Sequence, residues 1–115
     1  MRLGPEDSLQ RACVTWFKLQ YPLSLIWATP NGGHRHPLEA AKFKMTGVLA
    51  GVPDLFIAEP KGKFHGMFVE LKCTTKPTPA QMELIGKLHD RNYCTAICYS
   101  FDEFTMNVKK YFEPK

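Results

Sequence analysis

The order of apolar and polar positions predicts that the chain begins with an amphipathic helix. Leu9, Cys13 and Phe17 recur at intervals of one helical turn, so they share a single face. Pro5 suits the first turn of a helix, where a missing N–H costs nothing. Pro22 cannot continue a helix, and the pattern therefore predicts a helix over residues 5–20.

The rest of the chain alternates between strand-like and helix-like spacing. The pattern predicts a short strand or buried extended segment over 23–28, a helix over 37–46, strands over 54–58 and 64–72, a helix that opens at 78–81, a strand over 93–99 and a helix from about 100 to 112. The last strand follows a helical crossover, whereas a turn joins the two strands before it. We therefore expect an α/β fold, with a central mixed β-sheet flanked by helices, in a single domain over 1–115.

Short local signals sharpen the ends of the helices. Thr78 followed by Gln81 fits a capping box, and so does Ser100 followed by Glu103. Asn92 tolerates a left-handed backbone, which suits the residue that ends a helix.

The two strands over 54–58 and 64–72 place charged residues opposite one another. If their hairpin is centred on Gly62, Asp54 and Glu70 lie eight residues to either side and face each other, with Cβ atoms roughly 4.5–5.5 Å apart. The period of two along a strand puts Lys72 on the same face as Glu70. Pro53 fixes the backbone just ahead of Asp54. The hairpin therefore predicts that two carboxylates and an ammonium converge.

This combination of charges is typical of a site for a divalent cation. Two adjacent carboxylates raise each other's pKa unless a cation lies between them. Mg²⁺ is commonly bound by one or two carboxylates, with water and substrate phosphates as further ligands, and it can activate water against a phosphodiester. A neighbouring lysine can orient that water or neutralise developing charge. The competing interpretation is a cross-strand cluster of salt bridges on a solvated face.

Composition narrows the class of protein without deciding its function. The chain of 115 residues has a net charge of +4 and 44% hydrophobic residues, which allows a polyanionic partner but does not require one. No apolar run approaches the roughly 20 residues of a membrane helix, and the first ten residues lack the apolar segment of a signal peptide. We therefore expect a cytoplasmic protein with no membrane association, in the host cytoplasm if a phage encodes it.

The four cysteines favour packing over metal binding. Without a secretion signal they are expected to be reduced thiols. Cys94 and Cys98 share a face of the predicted strand but lie roughly 13 Å apart. That separation is too large for one metal, so the sequence predicts that they belong to the core.

In their order and spacing, the residues of the hairpin resemble a known nuclease signature. Gly51-Val52-Pro53-Asp54-Leu55 followed by Glu70-Leu71-Lys72 is similar to the PD-(D/E)XK motif, in particular to its VRR-NUC (virus-type replication–repair nuclease) branch. The resemblance extends over nearly the whole chain and includes Glu6, Pro30-Asn31-Gly32-Gly33, Ala40-Ala41 ahead of Gly47, and Gln81. The size of the chain is similar to that of short stand-alone bacteriophage members.

The resemblance implies a fold, an activity and the central residues. The fold would be the restriction-endonuclease-like core, a mixed sheet flanked by helices. Asp54 and Glu70 would be ligands of Mg²⁺ or Mn²⁺, with the backbone carbonyl of Leu71 as a further ligand and Lys72 as the catalytic lysine. The implied activity is metal-dependent DNA cleavage, and short viral members are associated with branched DNA such as four-way junctions, commonly as homodimers.

Other positions have a functional and a structural interpretation side by side. The resemblance implies that Glu6 helps to hold a metal directly or through water, although it also suits the positive end of a helix dipole. Gln10 lies one turn away and either supports the site or borders the apolar stripe. Gln81 would lie near the site, unless it serves only the capping box with Thr78.

The segment that follows Pro30 is a candidate DNA contact. Backbone amides of Asn31, Gly32 and Gly33, together with the side chain of Arg35, could grip a DNA phosphate. Lys42 is a further candidate phosphate contact, with plain solvated surface as the alternative. His34 and His36 lack a third ligand at a suitable spacing, so a zinc site is not favoured.

The leading hypothesis is therefore a structure-selective DNA endonuclease. The alternatives are a non-catalytic nucleic-acid-binding module that retains the nuclease fold, and a metal-dependent phosphatase that uses a paired-carboxylate site.

Overall fold

Four strands pair into one sheet, and the helices lie around it. The structure, a computed structural model, describes residues 2–30 and 37–114. Over these residues the elements are α1 (Pro5–Gln20), β1 (Ile26–Ala28), α2 (Pro37–Met45), β2 (Leu55–Ile57), β3 (Met67–Leu71), α3 (Pro79–Asp90), β4 (Cys94–Cys98) and α4 (Phe101–Phe112).

The sheet is mixed, as the sequence predicts. Its strand order is β1-β2-β3-β4. The pairs β1–β2 and β2–β3 are antiparallel, whereas β3–β4 is parallel and is connected through α3. The α/β fold class with helices around a mixed sheet is therefore confirmed.

The register of the β2–β3 hairpin follows the symmetry predicted around Gly62. Leu55 lies opposite Val69, and Ile57 lies opposite Met67. Gly62 adopts a φ of +55° at the tip, in the left-handed region that glycine enters most easily. Continuing this pairing by one residue places Asp54 beside Glu70.

One face of the sheet forms the hydrophobic core with α1 and α4. The buried core residues are Cys13, Phe17, Leu55, Ile57, Met67, Val69, Leu71, Cys98, Phe104, Val108 and Tyr111. Cys98 is buried and Cys94 packs against this cluster, so the prediction that both belong to the core is confirmed. The alternation along β3 explains this arrangement, because Val69 and Leu71 point to the face opposite Glu70.

The opposite face carries a row of aromatic side chains across β1, β2 and β3. The ring of Trp27 meets that of Phe56 at 5.2 Å between centroids, and Phe56 meets Phe68 at 4.4 Å. Gly66 makes room for this row, because a Cβ atom there would lie 2.7 Å from the Phe56 ring. Among the described elements, α3 packs against β4 at one side of this face.

Local signals set most of the helix ends. Asn92 has a φ of +64°, which confirms the predicted left-handed residue after α3. At α4 the capping box is only half formed, which corrects the prediction. Ser100 accepts from the N–H of Glu103, but the Glu103 carboxylate accepts from the N–H of Tyr99 and not from that of Ser100. The carboxylate thus caps the residue before the N-cap.

The prediction of a strand or buried segment over 23–28 was wrong in its first half. Leu23 is 98% exposed and Leu25 is 65% exposed. The backbone turns here, since the N–H of Ser24 donates to the carbonyl of Tyr21. The Ser24 hydroxyl also donates to the Glu59 carboxylate, and backbone pairing with the neighbouring strand begins at Leu25, whose carbonyl accepts from the N–H of Ala58.

Of the helices in the described ranges, none combines the length and the apolar character that crossing a membrane requires.

Candidate active site

The residues predicted to be catalytic or to bind metal converge on one small cavity at the end of the hairpin. It has a volume of about 280 Å³, and its walls are Glu6, Asp7, Gln10, Thr29, Pro30, Asp54, Glu70, Leu71, Lys72 and Gln81. Helix α1 supplies one wall, the β2–β3 hairpin the base and the first turn of α3 another wall. Residues far apart in the sequence are thus brought together by the sheet.

Asp54 is fixed by backbone groups on both sides. Its Oδ2 accepts a hydrogen bond of 2.8 Å from the N–H of Leu71, and its own carbonyl accepts one of 2.8 Å from the N–H of Thr29. Pro53 is fully buried beside it. The carboxylate is therefore held at the junction of β1, β2 and β3 before any ligand arrives.

Glu70 and Lys72 are charged residues in a nearly solvent-free position. Glu70 is 2% exposed and Lys72 is 8% exposed. The Lys72 ammonium lies 3.5 Å from Glu70 Oε2, and the Gln81 amide donates to the same oxygen at 3.1 Å. Glu70 Oε1 is buried and has no hydrogen-bond partner. A buried carboxylate oxygen is normally paired, so this unpaired atom is one that a bound cation would satisfy.

Gln81 serves both of the purposes that the sequence left open. Its backbone N–H donates to the Thr78 hydroxyl oxygen, while its side-chain Oε1 accepts from the N–H of Thr78 at 2.8 Å. Because Oε1 is taken by this bond, the Nε2 group of the same amide points away and donates to Glu70. The capping box of α3 thereby aims the amide at the site.

Burial shifts the ionisation of both carboxyl groups upward. The pKa of Glu70 is raised to about 7, mainly by desolvation and also by the Asp54 charge, and the Lys72 ammonium partly offsets both. Desolvation also raises the pKa of Asp54, against the hydrogen bond from Leu71 that lowers it, and the Glu6 charge adds to the rise. Two buried acids that resist ionisation are stabilised by an added cation.

The donor set fits a hard divalent cation. Within residues 2–30 and 37–114, His, Cys, Asp and Glu side chains do not form any group of three or more able to hold a metal. A structural zinc site with four protein ligands is therefore not built from them. Two carboxylates with one orphaned oxygen, next to backbone and solvent, suit Mg²⁺ or Mn²⁺, which keep water and substrate oxygens as ligands.

Comparison with known proteins identifies the family. The sequence model of the VRR-NUC domain matches residues 4–102. This chain belongs to the VRR-NUC family. The family has a nuclease fold, and DNA is the substrate class that it implies.

Solved structures agree with this assignment. One described as a VRR_NUC domain protein shares 31% sequence identity with this chain, with a TM-score of 0.79 over 97% of this chain and 91% of its own. A second, described as a VRR_NUC domain, is 21% identical with a TM-score of 0.66 over 96% of this chain and 100% of its own, and it supports the fold. Among curated proteins, no relative matches.

Some of the remaining predicted residues of this VRR-NUC domain line the cavity and others do not. Glu6 and Gln10 both line it from α1. Glu6 is exposed and acts on Asp54 through its charge, without joining a metal-holding group. Lys42 is exposed on the last turn of α2 and does not line the cavity. Asn31, Gly32, Gly33 and Arg35, with the two histidines of the same segment, lie outside the described residues.

Sequence reasoning did not recognise the roles of three contributors to the site of this VRR-NUC domain. Asp7 lines the cavity, and its position three residues before Gln10 on α1 was the available signal. Thr78 was assigned to capping alone, although its N–H orients Gln81. Gly51 lies where a Cβ atom would be 2.9 Å from the carbonyl oxygen of Ala80, so its lack of a side chain lets the loop before Asp54 touch α3.

Proposed function

We propose that this VRR-NUC domain is a Mg²⁺- or Mn²⁺-dependent DNA endonuclease that hydrolyses phosphodiester bonds. One observation carries the proposal: Glu70 lines a small polar cavity, is buried against Asp54 and Lys72, and has a buried Oε1 without a hydrogen-bond partner. A surface cluster of salt bridges would be exposed and fully paired. Buried acids with raised pKa values are instead characteristic of functional sites.

The side chains of Asp54 and Glu70 and the backbone carbonyl of Leu71 would hold the cation. When bound, the cation supplies activation of water and neutralisation of charge on the phosphodiester. The Leu71 N–H and the Gln81 amide each occupy one oxygen of the two carboxylates. The remaining oxygen of each carboxylate would then be available to the cation.

Lys72 carries the positive charge that the reaction needs next to the scissile phosphate. Its ammonium is nearly buried and is held by Glu70. From that position it orients the attacking water by hydrogen bonding and stabilises the negative charge that develops on the phosphate. Glu6 assists at the rim through a water molecule, and Lys42 contacts a DNA phosphate farther along.

The substrate is branched DNA, such as a four-way junction, and the working form is a homodimer. Paired cuts across a junction require two active sites, which a two-fold pair of identical chains provides. The aromatic row of Trp27, Phe56 and Phe68 fits the contact between the copies, because Trp27 is 50% exposed on an apolar sheet face. Aromatic side chains are enriched at such interfaces.

The test compares cleavage of a labelled four-way junction, linear duplex and single strand, each in Mg²⁺ and in Mn²⁺. Glu70→Gln keeps the size of the side chain and removes its charge, and it should abolish cutting. Glu83→Gln is the matched control, since this glutamate is exposed on α3 and pairs with Lys87. Wild-type activity is expected in the control.

Each pattern of cleavage has a definite meaning. Symmetric cuts near the branch, lost in Glu70→Gln, support a dimeric junction nuclease. Equal cutting of all substrates would support the nuclease activity and contradict the selectivity for branched DNA. DNA binding with no cutting in either metal would support the alternative of a non-catalytic binding module. Hydrolysis of small phosphate esters alone would support the alternative of a phosphatase.

A further inference from the structure

An apolar groove continues directly from the catalytic cavity. It has a volume of about 950 Å³ and shares Pro30 and Gln81 with the cavity. Its walls are helix α2, the loop over 47–52 and the first turn of α3. A strand of DNA with one phosphate in the small polar cavity would therefore extend its neighbouring nucleotide into this groove.

The lining of the groove does not have the positive charge of a surface that binds the DNA backbone. Of the described residues that line it, Lys44 alone is charged. A sugar–phosphate chain is bound by several cations, which the described part of this lining does not offer. Val48 and Leu49 line the groove and are 47% and 59% exposed. Such side chains suit a flat apolar group.

The floor of the groove is held in shape by backbone contact. Gly51 has a φ of +88°, and a Cβ atom there would lie 2.9 Å from the carbonyl oxygen of Ala80. The loop thus rests directly on the first turn of α3, the turn that also aims Gln81 at Glu70. The first turn of α3 therefore positions both the groove and the Glu70 carboxylate.

We propose that this groove binds an unstacked nucleobase of the DNA, next to the nucleotide whose phosphate lies in the catalytic cavity. The proposal rests on the proposed function and gives it a source of selectivity. A base within a duplex has both faces stacked, whereas an unpaired base at a branch exposes them. Insertion costs least for a base that is already unpaired, so the groove favours branch points over continuous duplex.

The experiment uses the full chain and a forked DNA in which single nucleotides near the branch are replaced by an abasic analogue. Replacement removes the base and keeps the phosphate, so backbone contacts are unchanged. Affinity is measured by fluorescence anisotropy in EDTA, and cleavage is measured separately in Mn²⁺. At one or two adjacent positions we expect affinity to fall about 5- to 100-fold, with little change elsewhere.

Variants of the groove test whether the base at the sensitive DNA position contacts this part of the protein. Leu49→Ser should weaken binding to the intact fork and make the abasic substitution nearly harmless, because both changes remove the same contact. Met45→Ser is the control, since this residue is 86% exposed on α2 and does not line the groove. It should retain the full sensitivity to the abasic site.

The outcomes distinguish a failure of the nucleobase site from a failure of the proposed nuclease activity. Cleavage that is unaffected by every abasic substitution would overturn the nucleobase site and leave the nuclease standing. Position-dependent loss of binding with no cleavage would support the site and overturn the nuclease. If Leu49→Ser instead converted a dimer into a monomer and left the abasic effect intact, the groove would be a contact between copies and the proposal would be wrong.

Discussion

The two faces of β3 carry different kinds of buried side chain, although both faces belong to the same five residues. On one face Val69 and Leu71 are buried in apolar surroundings. On the other face Glu70 is equally buried, yet it is charged, close to another acid and incompletely paired. The first arrangement stabilises the fold, whereas the second costs free energy in the absence of a ligand. The contrast shows which side of a central strand is built for binding.

The largest expected effect comes from the core face. Phe17→Ala removes a fully buried ring packed between α1 and α4 and should lower the free energy of unfolding by about 3–5 kcal/mol. Urea denaturation measures this loss. Calorimetric titration of the folded variant at low temperature should show Mn²⁺ affinity close to that of the wild type. A parallel loss of affinity would mean that the two faces are coupled.

An intermediate effect is expected from pH in the absence of metal. The pKa of Glu70 is about 7 in the folded protein against an ordinary value of 4.5, so the fold binds this proton more tightly than the unfolded chain does. The stabilisation is complete below pH 4.5 and is lost as the pH rises through 7. The free energy of unfolding should fall over this range by an amount on the order of 1–3 kcal/mol.

Glu70→Gln provides the reference for this pH dependence, because its amide cannot ionise. Subtracting its unfolding curve from that of the wild type cancels the contribution of histidines and exposed acids. At pH 7.5 the metal-free variant should be the more stable of the two, and it should gain nothing from added Mn²⁺. Identical pH profiles for the two proteins would contradict the raised pKa.

The smallest effect on stability should separate the two roles of Gln81. Gln81→Leu removes both the cap and the bond to Glu70, and it should weaken Mn²⁺ binding about 10- to 100-fold. Thr78→Ala removes only the hydroxyl cap and keeps the N–H that orients Gln81. Each variant should lose about 1 kcal/mol of stability. Equal metal affinity in the two variants would reduce Gln81 to a cap.

Much of the fold could be predicted because its local signals agree with its packing. The symmetry of Asp54 and Glu70 around Gly62 gave the register of the hairpin, since pairing in an antiparallel ladder depends only on counting from the turn. Asn92 and the pair Thr78 and Gln81 marked the ends of α3 by backbone chemistry that acts within a few residues.

The parts that could not be predicted depend on contacts between distant segments. Leu23 and Leu25 fit a strand by hydrophobicity, but the chain turns at Ser24, so backbone pairing begins at Leu25 and both leucine side chains are exposed. Glu103 could cap either of two adjacent N–H groups, and the turn after β4 decides between them. The contact of Gly51 with Ala80 joins residues that no spacing rule relates.

The symmetry of the hairpin also makes its tip a convenient point of attachment. Gly62 and Lys63 are exposed, and roughly 25 Å of strand and turn separate them from Asp54 and Glu70. The alignment of the two carboxylates depends on cross-strand pairing, so extra residues inserted at the tip leave it intact. A deletion of one residue within either strand would turn every following side chain to the wrong face. A dye or an affinity tag can therefore be carried at the tip to report on DNA binding.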